Sequence, residues 1–238
     1  MLNQAKLSHI LFLDIETVPQ HESYNQLTNR WKALWDKKHL QFREESKGPE
    51  ETYNRAGIYA EFGRIICISA CMFTADKENR SLKVKSWFNN NEKSILEDFS
   101  EALNKLQTKK KALYLCAHNG KEFDFPFIAR RMLVNGIKLP ACLSQAGKKP
   151  WEVPHFDTME LWKFGDYKHY TSLELLSCLF DLPTPKQNID GSMVYHTYYK
   201  EQDLPKIVKY CEDDAVAVAR IFLKYRQEAE LQDNEIIS

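Results

Sequence analysis

The sequence lacks a net charge: 33 Lys and Arg balance 33 Asp and Glu over 238 residues. Without excess cations the chain cannot hold a polyanion by bulk attraction, so any grip on nucleic acid has to come from a local groove. Long apolar runs are missing too. No stretch approaches the roughly 18 uninterrupted apolar residues of a membrane span, and the opening MLNQAK has no apolar core of a secretory leader. The six cysteines (Cys67, Cys71, Cys116, Cys142, Cys178 and Cys211) are scattered and form no CxxC pair. That argues against a zinc framework or a disulfide scaffold. The expectation is buried, reduced thiols in a cytoplasmic protein. Neither an internal repeat nor a low-complexity segment interrupts the chain.

What is present is enough apolar material for a core: 43% of the chain is hydrophobic, and aromatics make up 12% of the chain. The expectation is a single domain over residues 1–238 with an insertion over about 20–61. Residues 8–15 read as a buried strand. Residues 20–61 turn polar and read as mostly helical, with Trp31, Leu34 and Trp35 at helical spacing; the two tryptophans are expected to pack the insertion onto the domain. Strands are predicted at 64–73, 82–88, 112–117 and 155–160. Helices are predicted at 94–106, 123–136, 172–180, 192–200 and 204–231, the last with Pro205 in its first turn. Three strands in succession, then strands alternating with helices, indicate an α/β domain with a mixed sheet flanked by helices.

Carboxylates stand out in three places. In FLDIET, Asp14 and Glu16 sit two apart at the end of an apolar strand, so they point to the same side. Like charges so close raise each other's pKa unless something positive neutralises them. In AHNGKEFDFPFIARR, Asp124 stands at a predicted helix start inside a collar of Phe123, Phe125, Pro126 and Phe127. A carboxylate there is also a common helix cap. His118, just after a strand, reads as a hydrogen-bonding residue and not a metal ligand. In KYCEDDAVAVARIF, Tyr210 and Asp214 are four apart on one helix face, with Glu212 and Asp213 rotated away. Taken together, the acids need cations, and an all-oxygen set suits Mg²⁺ or Mn²⁺ better than zinc. Two such ions are a standard device for displacement at phosphorus.

These three motifs, in this order, resemble the DEDD superfamily of 3′–5′ exonucleases. Asp14 and Glu16 match its D-x-E motif, Asn119, Phe123 and Asp124 its second motif, and Tyr210 and Asp214 its Y-x-x-x-D motif. The tyrosine subclass (DEDDy) fits, because Lys209 stands where the other subclass has histidine. Within it, EFGRIICIS and DGSMVYHTYYK resemble stand-alone predicted exonucleases related to the proofreading domain of family B DNA polymerases. The resemblance implies a ribonuclease H-like fold and two ions, Mg²⁺ or Mn²⁺, held by Asp14, Glu16, Asp124 and Asp214. It also implies that Tyr210 orients the attacking water, so that all five residues are catalytic. The implied reaction is hydrolysis from the 3′ ends of single-stranded DNA, releasing 5′-mononucleotides.

Substrate contacts are expected from Thr17, Asn119, Lys121, Phe123, Asp157 and Lys163. Arg130, Arg131, Lys148, Lys149 and Lys168 are further candidate cations for phosphates, and Asp157 could instead support the site from behind. DNA is favoured over RNA as the partner, and neither a membrane nor an obligate protein partner is implied. The same chemistry on RNA or oligonucleotides is the rival reading. An inactive nucleic-acid-binding domain is a rival of another class, and a paired-carboxylate glycosidase leaves the Y-x-x-x-D helix without a role.

Overall fold

Alternation along the first strand decides the layering of the molecule. The computed structural model describes residues 2–42, 46–74, 80–110, 112–166, 170–183 and 190–237. Strand β1 (Ile10–Pro19) sends Leu11, Leu13 and Ile15 to one face of the sheet and Ile10 and Phe12 to the other. The first set packs with Ile95, Leu96, Phe99 and Leu103 of helix α2 (Glu92–Lys109) and with Phe125, Phe127, Ile128 and Met132 of helix α3 (Asp124–Val134). The second set packs with Ala215, Val218, Ala219, Phe222 and Leu223 of helix α7 (Leu204–Tyr225), Phe12 meeting the Phe222 ring edge-on at 5.3 Å. A period of two places Asp14 and Glu16 in line with Phe12, toward α7.

Among the described residues the sheet has six strands, in the order β5-β4-β1-β2-β3-β6. Strands β2 (Gly63–Phe73) and β3 (Leu82–Phe88) continue β1 as an antiparallel meander. Strands β4 (Tyr114–Ala117) and β5 (Phe156–Asp157) add on the other side in parallel, and β6 (Ile236–Ile237) closes the far edge beside β3. This is the expected mixed sheet flanked by helices. The short edge strand β6 was not foreseen; two residues carry no periodic signal.

Several expected bounds move. The fifth strand is only Phe156–Asp157, because the Asp157 side chain accepts from the backbone N–H groups of Met159 and Glu160 and starts helix α4 (Thr158–Lys163) there. Helix α7 ends at Tyr225 and not near 231, with Gln227 in the left-handed region just beyond. Helix α5 (Leu173–Leu179) lies where expected. The 192–200 helix is one α-turn, α6 (Val194–His196), running into a π-turn, Thr197–Glu201.

The segment between β1 and β2 holds helix α1 (Asn29–His39) and two 3₁₀ turns, Tyr24–Gln26 and Tyr53–Ile58. Trp35 does not dock it onto the sheet, as expected from spacing. Instead it sits at the centre of a separate aromatic cluster with Tyr53, Tyr59, Phe42 and Phe62. Trp31 only flanks Phe62 from a half-exposed position. Return to β2 needs glycine: a Cβ on Gly63 would lie 2.5 Å from the Gly57 carbonyl oxygen. Beside it a buried polar clamp joins three elements. The Glu92 carboxylate at the start of α2 accepts from the Ile65 N–H and from Nε and a terminal nitrogen of Arg131, which also donates to the Ala60 carbonyl. Arg131 is therefore not a phosphate contact; its guanidinium is spent inside the fold. Lys168, another candidate cation, lies outside the described residues.

Candidate active site

The carboxylates from the three sequence regions meet at one end of the sheet. Strand β1 presents Asp14 and Glu16 near its C-terminal end, and the ladder to β2 slips just there: Glu16 pairs with Cys67, but Thr17 pairs with Ile65. Such a bulge bends a strand and re-aims side chains, and bulges are common beside active sites. Asp124 opens α3, and its carboxylate lies near the backbone N–H of Ile15, between the two β1 acids. Asp214 comes from α7, with Tyr210 one turn earlier beside it.

Burial makes this cluster electrostatically tense. Glu16 is 7% exposed and Asp124 3%. Burial first, then Glu16, Asp214 and Asp124, push the Asp14 carboxyl well above the usual range. Glu16 is raised likewise, by burial and then by Asp214. Asp124 is pushed up to about 8 and Asp214 to about 6, in both cases chiefly by burial. Tyr210 is driven far upward by burial and by Asp214, Glu16 and Asp14, so its phenol stays a neutral donor. Among the described residues, Asp14 Oδ2 and Asp124 Oδ1 are buried with no hydrogen-bond partner. Buried acids without donors are costly. Hard divalent cations are the partners that such oxygens fit, so the residues present suit the ions the resemblance implies.

The loop beside Asp124 is built by Asp157. Its carboxylate accepts from the Asn119 and Lys121 backbone N–H groups, each at 3.0 Å, as well as from the start of α4. With four backbone donors on it, Asp157 holds the loop and has little capacity left for a ligand. Asn119 sits in the left-handed region (φ 62°), and its Oδ1 is buried without a partner among the described residues. Gly120 has no room for a side chain: a Cβ would lie 2.4 Å from that of Ala117 and 2.9 Å from the Phe125 ring. His118 is a structural residue, bonded to Thr158 Oγ1 and the Thr171 carbonyl.

The remaining candidates are spread around this centre. Thr17 is half-buried at the bulge, and Phe123 precedes α3 with its ring 5.4 Å from that of Phe127. Lys121 reaches Glu160 at 2.6 Å. Lys163 ends α4, followed by an exposed Phe164 in the left-handed region. Arg130, Lys148 and Lys149 are exposed, Lys149 lying over the Trp151 ring. Sequence reasoning missed two thiols. Cys211, next to Tyr210, donates from Sγ to the Asp14 carbonyl oxygen at 3.3 Å, and Cys67 stands across the ladder from Glu16. The first lies one residue from a motif and could have been found on the α7 face. The second depends on strand register.

Comparison with known proteins bears on the family and the fold. Residues 58–236 match a family described as a predicted 3′-5′ exonuclease related to the exonuclease domain of PolB. Among solved structures, the chain is similar to the family B DNA polymerase from the hyperthermophilic archaeon Pyrobaculum calidifontis, with 13% identity and a TM-score of 0.53. That match covers 90% of this chain but only 24% of the polymerase. At such low identity the likeness concerns the fold, which is ribonuclease H-like. No curated protein matches the chain.

Proposed function

The chain belongs to the family of predicted 3′-5′ exonucleases related to the exonuclease domain of PolB, and from that premise we propose that it removes 5′-mononucleotides from the 3′ ends of single-stranded DNA. The observation that carries the proposal is the cluster of buried Glu16 and Asp124 with half-buried Asp14 and Asp214, in which Asp14 Oδ2 and Asp124 Oδ1 have no hydrogen-bond partner among the described residues. Asp14, Glu16, Asp124 and Asp214 would hold two divalent ions, magnesium or manganese. Bound there, the ions supply the Lewis acidity and positive charge that in-line displacement at phosphorus requires. Tyr210, kept neutral by its surroundings, serves as a hydrogen-bond donor that positions water and not as a base. Asn119, whose Oδ1 is buried with no partner among the described residues, would orient the terminal nucleotide. DNA is preferred over RNA as the working substrate; the same chemistry on RNA is the second arm of the test.

The test offers purified protein a 5′-labelled single strand, as DNA and as RNA, with Mg²⁺ or Mn²⁺. The expected result is a ladder shortened from the 3′ end, abolished by EDTA and by Asp14→Ala. Equal cleavage by wild type and Asp14→Ala would sink the proposal.

A further inference from the structure

The acidic cluster has a sulfur wall. One ligand atom each from Asp14, Glu16 and Cys211 lies within 4.8 Å of the others. Around one tetrahedral zinc-class ion, with bonds of about 2.3 Å to sulfur and 2.1 Å to oxygen, the donor atoms stand about 3.6 Å apart. The three donors thus lie at most little more than about 1 Å beyond the separation a single ion sets. Cys211 is buried on α7 and already faces Asp14, bonding to its carbonyl oxygen and reaching its carboxylate. Asp124 Oδ1, aimed into the same cluster and 3% exposed as a residue, has no partner among the described residues. A pocket with two hard donors, one soft donor and unmet acceptors is not selective for hard cations alone.

We propose that Asp14, Glu16 and Cys211 form a mixed oxygen–sulfur site that takes a thiophilic divalent ion of the zinc and cadmium class, in competition with magnesium or manganese. The inference rests on the reading of these carboxylates as a metal site. On binding, the Cys211 S–H bond breaks, the Sγ–metal bond forms and the proton leaves to buffer; nothing is oxidised or reduced. Thiolate ligation favours zinc and cadmium over magnesium, so the ion would occupy the carboxylates that the nuclease reaction needs. Cys67, which touches Cys211 and pairs with Glu16 across the ladder, serves as the control thiol.

The probe is Cd²⁺ titrated into the 238-residue chain. Wild type should develop the near-ultraviolet thiolate-to-cadmium absorption, Cys67→Ser should keep it and Cys211→Ser should lose it. Cadmium affinity by calorimetry should fall more than about tenfold in Cys211→Ser, the lower end of what losing even a supporting partner costs a metal site. Should that variant fail to fold, cadmium X-ray absorption on wild type decides the matter by counting one sulfur neighbour or none. No thiolate band in wild type, a band that survives Cys211→Ser, or one lost only in Cys67→Ser overturns the inference. Manganese binding, measured separately by electron paramagnetic resonance in wild type and Asp14→Asn, tests the underlying site. Manganese that binds without a cadmium–thiolate band defeats the inference alone; a band without manganese binding defeats the magnesium–manganese reading alone.

Discussion

At the scale of the residue, Tyr210 shows how one side chain can be active without changing its charge. Its phenol is surrounded by Asp214, Glu16 and Asp14, and burial adds to their effect, so ionisation is suppressed. A base in that position would need the opposite surroundings. What remains is a neutral O–H group beside the acids. Tyr210→Phe removes that donor while keeping the ring, which packs near Val18, Ile66 and Ile207. The expected outcome is a fall in kcat of about a hundredfold, the size seen when one positioned donor is lost. KM and manganese binding should change little, as steady-state kinetics and paramagnetic resonance can show. An unchanged kcat would remove Tyr210 from the reaction.

At the scale of the element, the loop between β4 and α3 is where the sequence was hardest to read. The motif residues could be picked out because their spacings are local: two apart on a strand, four apart on a helix. What holds Asp124 in place is not local. Asp157 is a strand residue, a helix cap and the acceptor for two N–H groups 38 and 36 positions away. Only the parallel pairing of β4 with β5 brings these together. The same reason hid Cys67 opposite Glu16 and the Glu92 clamp on Arg131, which periodicity alone leaves free to be a phosphate contact. Trp35 was misread because helical spacing reports a packed face, not the surface it packs against. The sheet itself was legible, since β1, β2 and β3 alternate or run apolar over seven residues or more, whereas β5 and β6 have two residues each. Asp157→Asn tests the role of the loop. One carboxylate oxygen becomes an amide donor facing backbone N–H groups, which should cost about 1–3 kcal/mol in denaturant unfolding. Because Asn119 and Asp124 flank the loop, kcat should fall more than KM rises. A loss of stability with normal kcat would make Asp157 a purely structural residue.

At the scale of the whole molecule, the acidic cluster sets a conflict between folding and activity. The fold brings four carboxylates, two buried and two half-buried, into one corner and raises their pKa values, Asp124 to about 8 and Asp214 to about 6. Carboxyls in the unfolded chain titrate near 4. Between those limits the folded protein binds more protons than the unfolded chain, so stability falls as pH rises. The contribution is complete below about pH 4 and is lost as pH passes through the folded values, from about 6 to about 8. Divalent cations reverse this, since they bind the ionised cluster and stabilise the fold by mass action. With EDTA present, Tm should therefore drop by on the order of 10 °C between pH 5.5 and 8.5. Millimolar Mg²⁺ or Mn²⁺ should recover most of that loss at the alkaline end and little at the acidic end. Asp124→Asn removes one of the raised carboxyls, so it should flatten the EDTA profile and raise Tm at pH 8.5 while weakening the response to cations. Differential scanning fluorimetry across this pH range measures all three effects. A flat EDTA profile in the wild type would mean that the carboxylates are neutralised by the fold itself and need no cation.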